Sequence, residues 1–159
     1  MIFVTLGSQK FQFNRLLKKI DELLKNGIIK EKVFAQTGYS DYVPKNYEFK
    51  NFLDRKEFTA MEAQADVVIT HGGTGAIIGA VKKGKKVIAV PRLTQYGEHV
   101  DNHQIQIIEQ FSDLQFIIPC RNVNDMMKCI QSLDSFKTKS YSSNTYKILE
   151  SIEKYLNQL

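Results

Sequence analysis

The sequence predicts an α/β fold: a Rossmann-like, mostly parallel sheet flanked by helices. Three observations predict it. Short apolar runs, rich in β-branched residues, recur at Ile2 to Leu6, Val67 to Ile69 and Lys86 to Val90. The stretches between them carry apolar residues at helical spacing. Each run stops at a turn residue, so strands and helices alternate, as they do in βαβ units.

Taken in order, the first strand, Ile2 to Leu6, ends at Gly7-Ser8. A helix from Phe13 to Lys25 follows, with Phe13, Leu16, Leu17, Ile20, Leu23 and Leu24 on one face. Asn26-Gly27 stops it. Lys32 to Gln36 is the second strand, closed by Thr37-Gly38, and a polar stretch with Pro44 leads to a short third strand at Tyr47 to Phe49. Glu57 to Gln64 reads as a helix. Val67, Val68 and Ile69 are flanked by polar residues and fit a buried strand of a parallel sheet. The turn His71-Gly72-Gly73-Thr74-Gly75 then opens a helix that runs to Lys83, where Gly84 ends it. Lys86 to Val90 is the next strand, stopped by Pro91. A helix from Glu98 to Phe111, a strand from Gln115 to Ile118 and a helix from Val123 to Leu133 complete the alternation. Ser135 to Asn144 is a polar link, and Tyr146 to Leu159 is an amphipathic helix. Residues 1–159 read as one domain, with 145–159 its C-terminal helix.

Composition narrows the function. With 43% hydrophobic and 25% charged residues, the chain matches a soluble globular protein. The formal charge of +5 suggests acidic ligands or a membrane surface, but it is too diffuse for nucleic acid. Lys82-Lys83-Gly84-Lys85-Lys86 reads as a solvated loop. The two cysteines, Cys120 and Cys129, lack zinc-ligand spacing and are too few for a disulfide scaffold, which fits a reducing cytoplasm. No apolar run approaches the ~18 residues of a membrane span.

Ligands of open α/β sheets lie outside the carboxyl ends of the strands. Gly7-Ser8, Gln36-Thr37-Gly38, His71-Gly72-Gly73-Thr74 and the loop from Pro91 to His103 all fall there, so they should share one rim. Gly72, Gly73 and Gly75 let the turn bend sharply and a ligand come close. The N–H groups and dipole of the next helix favour an anion, typically phosphate. The plainer alternative is a strand-to-helix turn with no ligand. The first turn lacks GxGxxG spacing and a P-loop lysine, which disfavours nicotinamide cofactors and NTP hydrolysis. Gly97-Glu98-His99-Val100-Asp101-Asn102-His103-Gln104 is densely polar. It can be a capping cluster, or it can hydrogen-bond a polyhydroxyl ligand, which its density of donors and acceptors favours. His99 and His103 lie one helical turn apart but lack a third ligand, so no metal is expected.

Three segments carry a resemblance: Ala65 to Gly75, Gly84 to Arg92, and Gly97 to Gln104. Together they resemble the C-terminal half of family 28 glycosyltransferases, GT-B enzymes that use UDP-sugars. The chain is similar to bacterial capsular and exopolysaccharide single-domain glycosyltransferase subunits. It is also similar to the catalytic subunit of the two-chain eukaryotic N-acetylglucosaminyltransferase. By this resemblance Gly7, Ser8, Gly72, Gly73, Thr74 and Gly75 meet the diphosphate. Phe52 and Leu53 hold the uracil through their backbone, and Asp101, Asn102, His103 and Gln104 read the donor sugar. One departure stands out: Gly79 occupies the place of a glutamate that grips the ribose in relatives of the peptidoglycan-precursor enzyme. The ribose then falls to another group, with Glu98 a candidate.

The resemblance implies an inverting hexosyltransferase with no cofactor beyond the UDP-sugar donor. It would pass galactose, glucuronic acid or N-acetylglucosamine to a lipid-diphosphate-linked acceptor in capsular or exopolysaccharide synthesis. Such a transfer needs a base for the acceptor hydroxyl; His71, Glu98 and His99 are the candidates. In two-domain GT-B enzymes the acceptor lies in the other half. A membrane-associated second subunit is therefore expected to supply the acceptor site and hold the chain at the inner face of the membrane, with the C-terminal helix a candidate for docking. The alternative is a non-catalytic nucleotide-sugar-binding regulatory subunit. An epimerase or hydrolase would need a fuller two-domain chain.

Overall fold

The apolar runs form one sheet of six strands, all parallel, in the order β3-β2-β1-β4-β5-β6. The strands are β1 (Ile2–Thr5), β2 (Val33–Gln36), β3 (Glu48–Lys50), β4 (Val67–His71), β5 (Lys86–Val90) and β6 (Ile118–Pro119). The helices are α1 (Asn14–Lys25), α2 (Arg55–Gln64), α3 (Thr74–Lys82), α4 (His103–Asp113) and α5 (Met126–Gln131). The computed structural model describes residues 1–143; the expected helix at 145–159 lies outside them. Among the described residues no helix is long and apolar enough to cross a membrane.

Alternation along the central strands builds two cores, one on each face. Ile2, Val4, Ile69, Ile88 and Val90 turn to one side, where α1 adds Leu16, Leu17, Ile20 and Leu23 and α5 adds Met126 and Cys129. Phe3, Val68, Val87 and Ala89 turn to the other, against Ile77, Ala80 and Val81 of α3 and Ile108 of α4. Parallel strands covered on both faces have to be apolar throughout, which is why they stand out in the sequence.

The strand order positions the site. From β1 the chain winds outward through β2 and β3, then returns to β4 on the other side of β1. The connections after β1 and β4 therefore diverge, and a crevice opens between their carboxyl ends. Thr5 pairs with Gln36 on one side and Thr70 on the other, so the turns after β1, β2 and β4 emerge side by side.

Four elements start two or more residues away from the sequence expectation. α2 begins at Arg55 because Asp54 and Glu57 form a capping box. α4 begins at His103 and not at Glu98: a tight turn at Thr94–Tyr96 and the left-handed Gly97 (φ 65°) come first, and Glu98 is buried in the loop. β6 is only Ile118–Pro119, because Gln115 takes a left-handed turn conformation (φ 59°) in place of extended backbone. α5 is shortened by a 3₁₀ turn at Val123–Asp125, whose Asn122 side chain accepts from the Asn124 N–H.

Asp21 fastens the long β2–β3 connection to α1. Its buried carboxylate accepts from the Tyr42 hydroxyl at 2.6 Å, from the Lys45 and Asn46 N–H groups at 2.8 Å and from Asn46 Nδ2 at 3.0 Å. Burial opposes ionisation, but the Tyr42 hydroxyl and the two N–H donors outweigh it and hold the carboxyl below its ordinary value. The same bond pushes the Tyr42 phenol up to about 12. Asp21→Asn is expected to cost about 1–3 kcal/mol at neutral pH, since donors aimed at a carboxylate oxygen would face an NH₂. Because the folded pKa is depressed, this contribution is present above the unfolded value of ~4 and fades as pH falls through the folded one. Urea denaturation of both forms at pH 7 and pH 3 checks it: the difference should shrink at the lower pH.

Candidate functional site

His71, the last residue of β4, organises the crevice. Its buried ring lies between two glycine turns. A Cβ at Gly7 would stand 2.7 Å from His71 Cε1, and one at Gly73 would overlap Nε2. Gly7 also has φ +70°, so both conformation and space require glycine there. The Thr70 hydroxyl donates to the Thr5 carbonyl at 3.1 Å, and His71 Nδ1 faces the same oxygen at 3.5 Å. That carbonyl assigns the ring proton to Nδ1 and leaves the Nε2 lone pair directed at the turns. Burial first, then the nearby Arg92 guanidinium, push the imidazole pKa down to about 4, so the ring is neutral at pH 7.

The three glycines after His71 have separate reasons. A Cβ at Gly72 would stand 2.7 Å from Cβ of Gln104, so this position lets α4 pack behind the turn. Gly73 makes room for the imidazole. Gly75 has nothing within 4 Å of its Cβ position, so it alone faces open space. No side chain caps α3, leaving the first-turn N–H groups of Thr74, Gly75 and Ala76 as unsatisfied donors. Thr5, Gly7, Ser8, Gln36, Phe58, His71, Gly73 and Gly75 help line a cavity of about 380 Å³. The Thr5 hydroxyl oxygen is buried without a hydrogen-bond partner. A larger hollow of about 740 Å³ lies at the opposite end of the sheet, between Met1, Lys85 and Leu133. Three of its four lysines are engaged: Lys83 with Glu62, Lys85 with the Ala63 carbonyl, Lys86 with the Leu133 carbonyl. Helix C-termini surround that end, so anions are favoured at the glycine rim instead.

The loop after β5 folds against the turn after β1 through several contacts. Arg92 donates to the carbonyls of Leu6 (2.6 Å) and Phe11 (3.1 Å). Arg15 grips Glu98 at 2.7 and 3.0 Å and the Pro91 carbonyl at 2.7 Å. Gln12 Nε2 donates to the Tyr96 carbonyl, and His99 stacks on Phe11 and meets Gln9 Oε1 at 3.1 Å. Two expected bases are thus held by this scaffold. Glu98 is 1% exposed, with Arg15 and the Leu93 N–H on its oxygens, and does not line the cavity. His99 faces Gln9 and Asp101 and does not line the cavity.

The polar segment at the start of α4 is also engaged within the loop. Asp101 Oδ1 accepts from the His103 N–H, Asn102 Oδ1 accepts from the Thr94 N–H, and buried Gln104 accepts from the Arg92 N–H. His103 Nδ1 lies 3.2 Å from Gln106 Oε1. None of the four lines the cavity. Asn102 stands at the N-cap of α4 without a side-chain cap bond, so it and Gln104 brace the loop after β5, and it is Asp101 that meets a first-turn N–H of α4; Asp101, Asn102 and His103 are exposed. His99 and His103 turn to separate partners, and no group of three metal-ligating side chains occurs among the described residues. At the far side of the crevice the Leu53 N–H is already taken by Gln36 Oε1 at 3.2 Å. Phe52, 43% exposed, meets Tyr39 edge-on. Gly79 lies on α3 with its Cβ position 3.3 Å from Glu62 Oε1, so a carboxylate at 79 would confront that of Glu62. Sequence places Gln36 on the shared rim and Arg92 at the end of a resembling segment, but names neither of them, nor Thr5, as a site residue. Arg92 carried a signal, a cation placed straight after the apolar run Val87 to Pro91.

A family model described as glycosyltransferase family 28 C-terminal domain matches residues 1–159. The UDP-N-acetylglucosamine transferase subunit ALG13 of Candida glabrata is 41% identical over 58 residues, 36% of this chain and 27% of that protein. Its Candida albicans counterpart is 27% identical over 94 residues, 59% of this chain and 30% of that protein. The matches thus span under a third of those relatives' length. Among solved structures, the glycosyltransferase of kitacinnamycin superposes with a TM-score of 0.62 at 19% identity, covering 84% of this chain and 34% of that one. The solution structure of ALG13 superposes with a TM-score of 0.58 at 19% identity, covering 95% and 93%. At such identities the superpositions show the shared GT-B-type fold.

Gly73→Ala should displace the His71 ring and destabilise the protein by about 1–3 kcal/mol, the usual cost of overpacking. Gly75→Ala should leave the melting midpoint within about 2 °C of wild type, since its methyl enters open space and Ala suits a helix. Thermal denaturation of the two variants tests the asymmetry.

Proposed function

This chain belongs to the glycosyltransferase family 28 C-terminal domains, and on that premise we propose that it binds the UDP-sugar donor of a hexosyl transfer. The observation that carries the proposal is the shared cavity of Gly7, Ser8, His71, Gly73 and Gly75, with the open N-terminus of α3 beside it. Breaking the anomeric C–O bond leaves UDP, and negative charge grows on its diphosphate. Preorganised N–H donors in the Gly7-Ser8 turn and at Thr74, Gly75 and Ala76 would stabilise that charge without reorganising.

Of the three candidate bases, His71 alone lines the cavity. Its Nε2 lone pair is the group proposed to take the acceptor hydroxyl proton in an inverting transfer. Its pKa of about 4 belongs to a site without an anion; a bound diphosphate would raise its basicity. Phe52 and Leu53 are assigned to the uracil and the exposed Asp101 and His103 to the donor sugar, galactose, glucuronic acid or N-acetylglucosamine. The acceptor is proposed to be a lipid-diphosphate-linked sugar in capsular or exopolysaccharide synthesis, presented by a membrane-associated partner that forms the other wall of the cleft. The matched Candida proteins are named as transferase subunits, which supports a partner chain. The low basicity of His71 and the engagement of Glu98 and His99 favour a second reading, a nucleotide-sugar-binding regulatory subunit. Transfer activity of the purified complex, lost in His71→Gln, separates the two.

Calorimetric titration tests the donor. UDP should bind at one site, with GDP at least about tenfold weaker, near 1.4 kcal/mol. Equal affinity for the two would contradict the assignment.

A further inference from the structure

Arg92 is the largest side chain buried below 2% exposure, and it is a cation. Burial lowers its pKa only to about 10, so it stays charged at neutral pH. Among the described residues no carboxylate lies within salt-bridge distance of it; Glu98 is paired with Arg15. The Arg15, Glu98 and Arg92 group therefore keeps one positive charge in excess. Phe13 stacks below the guanidinium, with its ring centroid 5.5 Å from Cζ, and the Nε–H has no partner. Burying a cation without a hydrogen-bonded anion is unfavourable. Packing alone does not require it, since an apolar residue of similar length would fill the space.

The two carbonyls that Arg92 holds belong to Leu6 and Phe11, the residues bounding the Gly7–Lys10 turn. One guanidinium thus pins both ends of the turn that meets His71. The Arg92 main chain is fixed in its own right, with its N–H on Gln104 and the preceding carbonyl on Arg15. The clamp has two consequences. It holds the Gly7 and Ser8 backbone in one conformation, and it places beneath that backbone a positive charge that Glu98, shared with Arg15, offsets only in part.

We infer that Arg92 is a positioning residue for a diphosphate ligand: its buried guanidinium clamps the Leu6 and Phe11 carbonyls, and the anion bound above the turn supplies its missing counter-charge. The inference rests on reading the cavity as a nucleoside-diphosphate site. It adds that affinity for the diphosphate, and not for the nucleoside, depends on a side chain that does not touch the ligand. After burial, the Arg92 charge is the next cause of the low imidazole pKa of His71.

The test compares UDP with uridine on wild type, Arg92→Met and Arg92→Lys. Met keeps the length and loses the charge and donors; Lys keeps the charge and loses the two-carbonyl fork. Arg92→Met should weaken UDP binding roughly 10- to 100-fold, the size of a typical coupling between a ligand and a group it does not touch, because the diphosphate loses a buried positive charge and the turn its clamp, with uridine binding unchanged. Arg92→Lys should recover part of the loss. The His71 imidazole, followed by NMR, should titrate at higher pH in Arg92→Met. Should Met not fold, wild type still decides: the Arg92 Nε–H resonance should shift when UDP is added and stay in place with uridine. UDP affinity within about twofold of wild type in Arg92→Met, equal losses for UDP and uridine, or an unmoved Nε–H signal would overturn the inference. Failure of wild type to bind UDP would overturn the reading of the cavity, and this inference with it.

Discussion

The His71 imidazole occupies the space that a side chain at Gly7 or Gly73 would need. This steric constraint ties the turn after β1 to the turn after β4, although 64 positions separate His71 from Gly7. It operates at the switch point of the sheet, where the strand order lets the two connections part and leave a crevice. Both turns must stay bare of side chains for the ring to sit between them, and bare backbone is what an incoming anion can approach. The packing requirement falls on Gly7 and Gly73, two of the residues proposed to meet the diphosphate.

Around that centre the rim is held by side chains reaching for main-chain oxygens. Arg92 takes the Leu6 and Phe11 carbonyls, Arg15 takes that of Pro91, and Gln12 takes that of Tyr96. Loops without regular ladders must satisfy their carbonyls somehow, and here cations and amides do so. The result is a rigid wall on one side of the crevice with a surplus of positive charge below it. On the other side α3 adds its open N–H groups. Two independent sources of positive potential converge on one cavity.

The strands were legible because a parallel sheet covered on both faces demands continuous apolar runs, as at Ile2 to Thr5 and Lys86 to Val90. The shared rim was legible because turn residues sat at the carboxyl end of each run. What escaped was set by long-range hydrogen bonds. Glu98 reads as the start of a helix, but its carboxylate is bound to Arg15, 83 positions away. Gln104 looked like a ligand contact, yet its oxygen serves the Arg92 main chain. Gly72, Gly73 and Gly75 read alike in sequence but face α4, His71 and open space in turn. Local patterns carry element type; they do not carry which distant group a polar side chain will meet.

The proposed function puts the UDP diphosphate between the turn after β1 and the start of α3. Amide NMR of the uniformly ¹⁵N-labelled chain, titrated with UDP, is the sharpest check. The largest shifts should fall on Gly7, Ser8, Gly73, Thr74, Gly75 and Ala76, with little change at Met1, Lys85 and Leu133. Shifts concentrated in the hollow at the amino ends of the strands, with the glycine turns unmoved, would contradict it.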